Sequence, residues 1–110
     1  MILDDYNTPI VLIDDDSLLR MAWEFAAKKS KKNFYAYSSP DNFKKDIAQF
    51  DKKSLIYIDS DLGNNIKGEV FALDLYHLGF TELYLATGYS SELYKNMPWL
   101  KSIVGKTFSF

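Results

Sequence analysis

The chain has 110 residues, 47% apolar and 25% charged, which is enough for one domain with one core, too few for two, and ordinary for a globular protein. A net charge of −2 gives no electrostatic reason to expect a nucleic-acid or anionic-membrane partner, and the absence of cysteine excludes a disulfide framework and thiolate-ligated metal and fits a reducing cytoplasm. The N-terminal MILDDYNTP lacks the basic and apolar regions of a signal peptide, and no apolar stretch approaches the ~20 residues of a membrane span.

Residues 10–14, IVLID, form a continuous apolar run of the kind expected of a strand covered on both faces. Ser17 stands where a helix N-cap is expected, and Leu18, Leu19, Ala22, Phe25 and Ala26 give the following helix an apolar face opposite Arg20, Glu24 and Lys28. The cluster Lys28, Lys29, Lys31 and Lys32 suits a solvated helix C-terminus, where cations meet the dipole. FYAY, residues 34–37, reads as a second strand. Ser39-Pro40-Asp41 then starts a helix with a capping hydroxyl, a proline in the first turn and a carboxylate at the positive end; Phe43, Ile47 and Phe50 are its buried stripe. Residues 54–59 predict a third strand, residues 60–68 a polar loop, residues 69–78 a helix ending before Gly79, and residues 82–86, ELYLA, a fourth strand. TGYSS leads into a short helix that must stop near Pro98, with Trp99 and Leu100 as packing residues. Residues 102–105, SIVG, predict a fifth strand, and KTFSF is too short to form the helix that would ordinarily follow. The alternation predicts an α/β fold, a doubly wound five-stranded parallel sheet of order 2-1-3-4-5, with the fifth helix missing or truncated. One sheet edge is then left for a partner, a second copy or another part of a parent chain to cover.

In open parallel sheets, ligands bind beyond the carboxyl ends of the strands. Strand one exits at Asp14-Asp15-Asp16, strand three at Asp59 with Ser60-Asp61 following, strand four at Thr87-Gly88 and strand five at Lys106. The order 2-1-3-4-5 sets strands one and three side by side, so their aspartates meet. Two carboxylates ~4–5 Å apart repel by about 3–4 kcal/mol at an effective dielectric of ~20, so such a cluster raises a pKa or recruits a cation. With oxygen ligands alone on offer, Mg²⁺ is the matching ion. A carboxylate nucleophile, Mg²⁺, a lysine and a hydroxyl together make a site for phosphoryl transfer to an aspartate, in which the protein positions the group and neutralises its charge.

VLIDDDSLLR, LIYIDSDLG, YLATGY and IVGKTF, in this order at the exits of strands one, three, four and five, resemble the receiver domain of bacterial two-component response regulators, the CheY-like superfamily. The resemblance runs from about residue 8 to residue 107 and implies that residues 1–110 are a single receiver domain. It further implies that Asp59 accepts a phosphoryl group from the phosphohistidine of a histidine kinase or phosphotransfer protein, in the cytoplasm and without direct contact to nucleic acid or membrane. By the same carry-over, Asp15 binds Mg²⁺ directly, Asp14 mainly through water and Asp61 through its backbone carbonyl. Thr87 hydrogen-bonds a phosphoryl oxygen, Lys106 bridges Asp59 or its phosphate, and Asp16 matches no site position and begins the helix. A receiver module of a hybrid sensor kinase is one context.

The sequence departs from the family in four places. Gly63 replaces a common proline and Gly68 lies nine residues after Asp59 rather than eight; Thr107 follows the lysine where proline is usual; Ile103 occupies the position of the switch aromatic; and the fifth helix is absent. Tyr89 is a candidate for a different aromatic near the site. Two other functions fit parts of the pattern. IYIDSD resembles the first motif of haloacid-dehalogenase-like phosphatases, with Asp59 as nucleophile and Asp61 as general acid–base, although two strand–helix units precede it here. A pseudo-receiver that binds a partner without phosphorylation fits Thr107 and Ile103 but not the full set of aspartates. His77 is read as a surface or half-buried residue, and the tyrosines as amphipathic rings at sheet and loop edges.

Overall fold

A computed structural model describes residues 7–107. The chain order is β1 (Ile10–Ile13), α1 (Ser17–Lys29), β2 (Phe34–Tyr37), α2 (Pro40–Asp46) continued by a 3-10 turn (Ile47–Gln49), β3 (Leu55–Asp59), α3 (Gly68–His77), β4 (Leu83–Ala86), a 3-10 helix (Ser91–Tyr94) and β5 (Ser102–Val104). The five strands are parallel in the order β2-β1-β3-β4-β5. This is the doubly wound sheet expected from the alternation. Among the described residues no helix follows β5; most of the KTFSF tail lies outside them.

Period-two alternation divides the sheet into two faces. Val11, Ile13, Ile56, Ile58 and Leu83 point to one of them and pack with Phe43 of α2, Phe71, Ala72 and Leu75 of α3, Phe80, and Phe50, which was expected on the second helix but follows the 3-10 turn in extended backbone. Trp99 and Leu100 lie against this core, as expected of PWL, and the Trp99 indole N–H donates to the Glu69 carbonyl at 2.9 Å. On the other face Tyr57 and Tyr84 stack with centroids 4.9 Å apart, and Trp23 of α1 meets Tyr57 edge-on at 5.4 Å.

The α1 reading needs two corrections. The N-cap is Asp16, which the family resemblance already set at the helix start, and not Ser17: its carboxylate accepts from the amides of Leu18 and Leu19. The buried face is Trp23, Ala26 and Ala27, whereas Leu18, Met21 and Phe25 are exposed. The indole fixes this rotation, because Trp23 Nε1–H donates to the Lys106 carbonyl at 2.9 Å while its ring covers Tyr57. This tertiary hydrogen bond and aromatic contact favour the stripe that turns inward. Ser39 does cap α2, accepting from Asn42 N–H, and Pro40 opens the helix. The helix expected after TGYSS is only the 3-10 helix Ser91–Tyr94, capped by Ser90 and anchored by buried Tyr94. Pro98 limits any continuation, because the residue before a proline is driven out of the α region.

Candidate functional site

The carboxyl ends of the strands enclose a cavity of about 610 Å³ lined by Asp14, Asp15, Asp16, Asp59, Ser60 and Asp61, together with Gly63, Thr87, Gly88, Tyr89 and Lys106. All six site residues proposed from the sequence therefore meet at one place. Asp14 directly follows β1 and is completely buried; its backbone N–H donates to the Tyr37 carbonyl of β2, and the Asp14 carbonyl accepts from the Arg20 side chain at 2.8 Å. Asp59 ends β3, beside β1 in register, since Ile13 pairs with Ile58. The two carboxylates are brought together by that register.

Lys106 answers the charge. Its Nζ is 2.8 Å from Asp14 Oδ2 and 2.8 Å from Asp59 Oδ1. Burial pulls this ammonium down, but the two carboxylates outweigh it and hold the group above the ordinary lysine range. For Asp59 burial is the largest influence and pushes the carboxyl up; the Lys106 hydrogen bond opposes it, the charge of Asp14 adds to it, and the carboxyl lies above its usual value. Asp59 is thus held next to an acidic neighbour by a single cation. That cation is itself held from behind, because Trp23 clamps the Lys106 carbonyl.

Asp14, Asp15 and Asp59 each offer a carboxylate oxygen, and the three lie within 4.8 Å of one another. The donors are hard oxygens, and Asp15 is exposed while the other two are buried, so a divalent ion could be held between protein and solvent. Asp61 contributes through its backbone. Its N–H donates to Asp59 Oδ1 at 3.3 Å. The isolated antiparallel bridge Asp61–Lys67 uses the flanking groups, Gly68 N–H to Ser60 O and Leu62 N–H to Ile66 O. In such a bridge the N–H and C=O of the central residue both point away from the partner strand, which turns the Asp61 carbonyl to the same side as its amide. The Asp61 carboxylate is occupied in the turn, accepting from Gly63 N–H at 3.2 Å.

Two glycines shape this loop. At Gly63, φ is +79°, and an added Cβ would lie 3.3 Å from Asp15 Oδ2. Gly68 begins α3 against the end of β3: a Cβ there would sit 1.8 Å from the Asp59 carbonyl oxygen. Only glycine lets the helix start this close to the strand. Between the two glycines, Asn64 and Asn65 are both at positive φ, where asparagine is better tolerated than most residues.

Thr87 is buried just beyond β4, its N–H bonded to the Val104 carbonyl. Its hydroxyl accepts from Tyr89 N–H at 3.1 Å and pairs with the Ser60 hydroxyl at 2.9 Å. Tyr89 lines the cavity and is exposed, and Ile103 on β5 is half-buried. His77 is exposed at the end of α3, as expected. Sequence reasoning passed over Ser60, Trp23 and Arg20. Ser60 could have been found: extending the register Ile56–Leu83, Ile58–Leu85 by one more pair sets Ser60 opposite Thr87.

No protein-family model matches the sequence, and no curated protein matches it. Solved structures do. The response regulator TrrA of Thermotoga maritima, solved in complex with Mg²⁺ and BeF, superposes with a TM-score of 0.75 at 19% identity, over 94% of this chain and 90% of its own. A CheY-like receiver domain protein of Methanospirillum hungatei gives 0.76 at 14% identity over 93% and 83%. The signal receiver domain of a LuxO repressor protein of Vibrio parahaemolyticus gives 0.75 at 17% identity over 93% and 80%. No helix among the described residues is long and apolar enough to cross a membrane. The fold of this chain is that of the response-regulator receiver domains.

Proposed function

We propose that the chain is a phosphoacceptor receiver domain in which Asp59 takes a phosphoryl group from a phosphohistidine in the presence of Mg²⁺. The observation that carries this reading is the Lys106 ammonium held 2.8 Å from both Asp14 and Asp59 at the mouth of the acidic cavity. It has a physical consequence. Lys106 and the Asp61 amide both engage Oδ1 of Asp59, which leaves Oδ2 to attack phosphorus. As the Oδ2–P bond forms, the P–N bond of the donor breaks and its electron pair stays on the imidazole nitrogen. Asp15, Asp14, Asp59 and the Asp61 carbonyl would hold the metal, which supplies positive charge to the phosphoryl oxygens. Lys106 supplies a second positive charge and Thr87 a hydroxyl donor, so the work of the site is positioning and electrostatic stabilisation.

The donor would be a histidine kinase or a phosphotransfer protein, and the setting cytoplasmic, either as a separate regulator or as the receiver module of a hybrid kinase. TrrA, whose fold this chain shares, was solved with Mg²⁺ and BeF, and that supports the metal assignment. The phosphatase reading has less support, since Oδ1 of the Asp61 carboxylate that would act as general acid–base accepts from the Gly63 amide in the turn. The test is incubation with Mg²⁺ and acetyl phosphate followed by intact mass. Here the P–O bond to the acyl oxygen breaks and acetate leaves with the electron pair. One phosphoryl group is expected on the wild type and none on Asp59→Asn; a folded wild type that gains none would overturn the proposal.

A further inference from the structure

Ser60 follows the proposed phosphoacceptor directly, and the family resemblance gives it no role. Its side chain is turned away from Asp59 by the strand alternation and lies on the Ile56–Ile58 side of β3, opposite Thr87. Both residues are 4% exposed, and their hydroxyl oxygens are 2.9 Å apart. At that burial each hydroxyl finds its hydrogen bonds mainly among protein neighbours.

A hydroxyl has one proton to donate and two lone pairs that accept. One lone pair of Thr87 Oγ1 is taken by Tyr89 N–H at 3.1 Å. When Ser60 donates into the other, the Thr87 proton is the one remaining valence, left to turn out of the pair toward the cavity that Thr87 lines with Asp59. When Thr87 donates to Ser60 instead, that proton is withheld. The two arrangements differ by rotation of two O–H bonds, with no heavy atom displaced. An anionic group on Asp59 favours the first, because it offers an acceptor where the Thr87 proton points.

We propose that Ser60 is a positioning residue for phosphoryl transfer: by donating into Thr87 it fixes the Thr87 hydroxyl as a donor toward the group arriving on Asp59. This rests on the reading of Asp59 as phosphoacceptor. Ser60 itself touches neither the phosphoryl group nor the metal; it acts through Thr87. The pairing also gives the short β3–β4 end a second tie beyond the Asp59–Ala86 register position, so the energetic and the chemical contributions have to be separated by experiment.

The rate of phosphorylation by acetyl phosphate and Mg²⁺ is followed by intact mass for the wild type, Ser60→Ala, Ser60→Thr, Thr87→Ala and the double variant, with thermal melts as folding controls. Loss of one buried hydrogen bond predicts a rate about two- to tenfold lower for Ser60→Ala, with Ser60→Thr, which keeps the hydroxyl, restored to about the wild-type rate. Against Thr87→Ala, the Ser60→Ala change is expected to have no further effect. An unchanged rate for Ser60→Ala overturns the proposal, and so does an undiminished effect when Thr87 is already alanine, since Ser60 would then act by another route. Should Ser60→Ala melt out, Ser60→Cys, similar in shape with a weak S–H donor, takes its place with the same expected slowing. If no variant, wild type included, gains a phosphoryl group, it is the reading of Asp59 that has failed; phosphorylation of the wild type with no difference among the folded variants removes Ser60 alone.

Discussion

Two triplets leave the sheet side by side, Asp14-Asp15-Asp16 after β1 and Asp59-Ser60-Asp61 at the end of β3. Their first members behave alike: both are buried and both hold Lys106 at 2.8 Å. After that the triplets diverge, because the chain has different business beyond each. β1 runs at once into α1, so Asp15 reaches the surface near the other carboxylates and Asp16 is committed to capping the helix. β3 runs into the loop 60–67, so Ser60 stays on the strand register against Thr87 and Asp61 forms the bridge to Lys67 with its side chain tied to Gly63. Six adjacent polar residues therefore carry at least four distinct jobs. Distance from the strand end and the element that follows decide which, more than residue type does.

The sharpest way to break the pairing of the triplets is at Asp59. Asp59→Asn should abolish phosphoryl uptake, yet raise the melting temperature of the metal-free protein at neutral pH. The sign follows from the raised carboxyl. A group that titrates higher when folded than unfolded costs stability once it ionises, so the asparagine gains at neutral pH. That gain shrinks as the pH falls through the raised value and is gone below the unfolded carboxylate range, near ~4. Melts across that range check it; a lower melting temperature at neutral pH would mean that burial and the Asp14 charge do not raise the Asp59 carboxyl.

Lys106→Met comes next, since it strips the cation from both triplets together. It leaves wholly buried Asp14 without its charged partner, and a cost of about 1–3 kcal/mol is expected, reduced from the deep-interior case because the lysine is about one-third exposed. Chemical denaturation measures this, and slowed uptake from acetyl phosphate should accompany it.

A third contrast lies inside the first triplet. Asp15→Asn should weaken Mg²⁺ binding by roughly tenfold with little change in melting, whereas Asp16→Ala should lose about 1 kcal/mol of stability through the cap and leave metal affinity nearly intact. Metal titration and melting on the same two variants give the crossed result or refute it. Smallest of all is Asp61→Asn. The backbone carbonyl survives the change, the amide side chain still accepts from Gly63 N–H, and stability should move by no more than ~0.5 kcal/mol. Its acyl-phosphate lifetime then reports whether the carboxylate influences attack by water; a lifetime equal to wild type assigns it to the turn alone.

The sheet was legible because buried parallel strands read as apolar runs and each is punctuated by a helix start. The convergence of Asp14, Asp15, Asp59, Thr87 and Lys106 was legible for the same reason, once the strand order was assumed. The α1 face was not. Leu18 and Phe25 look like core residues on a helical wheel, but Trp23 must reach the Lys106 carbonyl, 83 positions away, and its rotation takes Leu18, Met21 and Phe25 into solvent. No local pattern contains that contact. Ser17 was the expected cap because serine is a good one; Asp16, one position earlier, wins because its carboxylate meets the Leu18 and Leu19 amides. Ser60 was hidden by its neighbours: between two aspartates it reads as a spacer until the β3–β4 register is known.

The central claim is that, of the five aspartates at these two strand exits, Asp59 alone is the nucleophile. The direct measurement is to phosphorylate the wild-type chain with acetyl phosphate and Mg²⁺, reduce the acyl phosphate with borohydride to homoserine, and locate that residue by peptide mass spectrometry. The account predicts homoserine at position 59 and nowhere else. Homoserine at position 14, 15, 16 or 61 would contradict it.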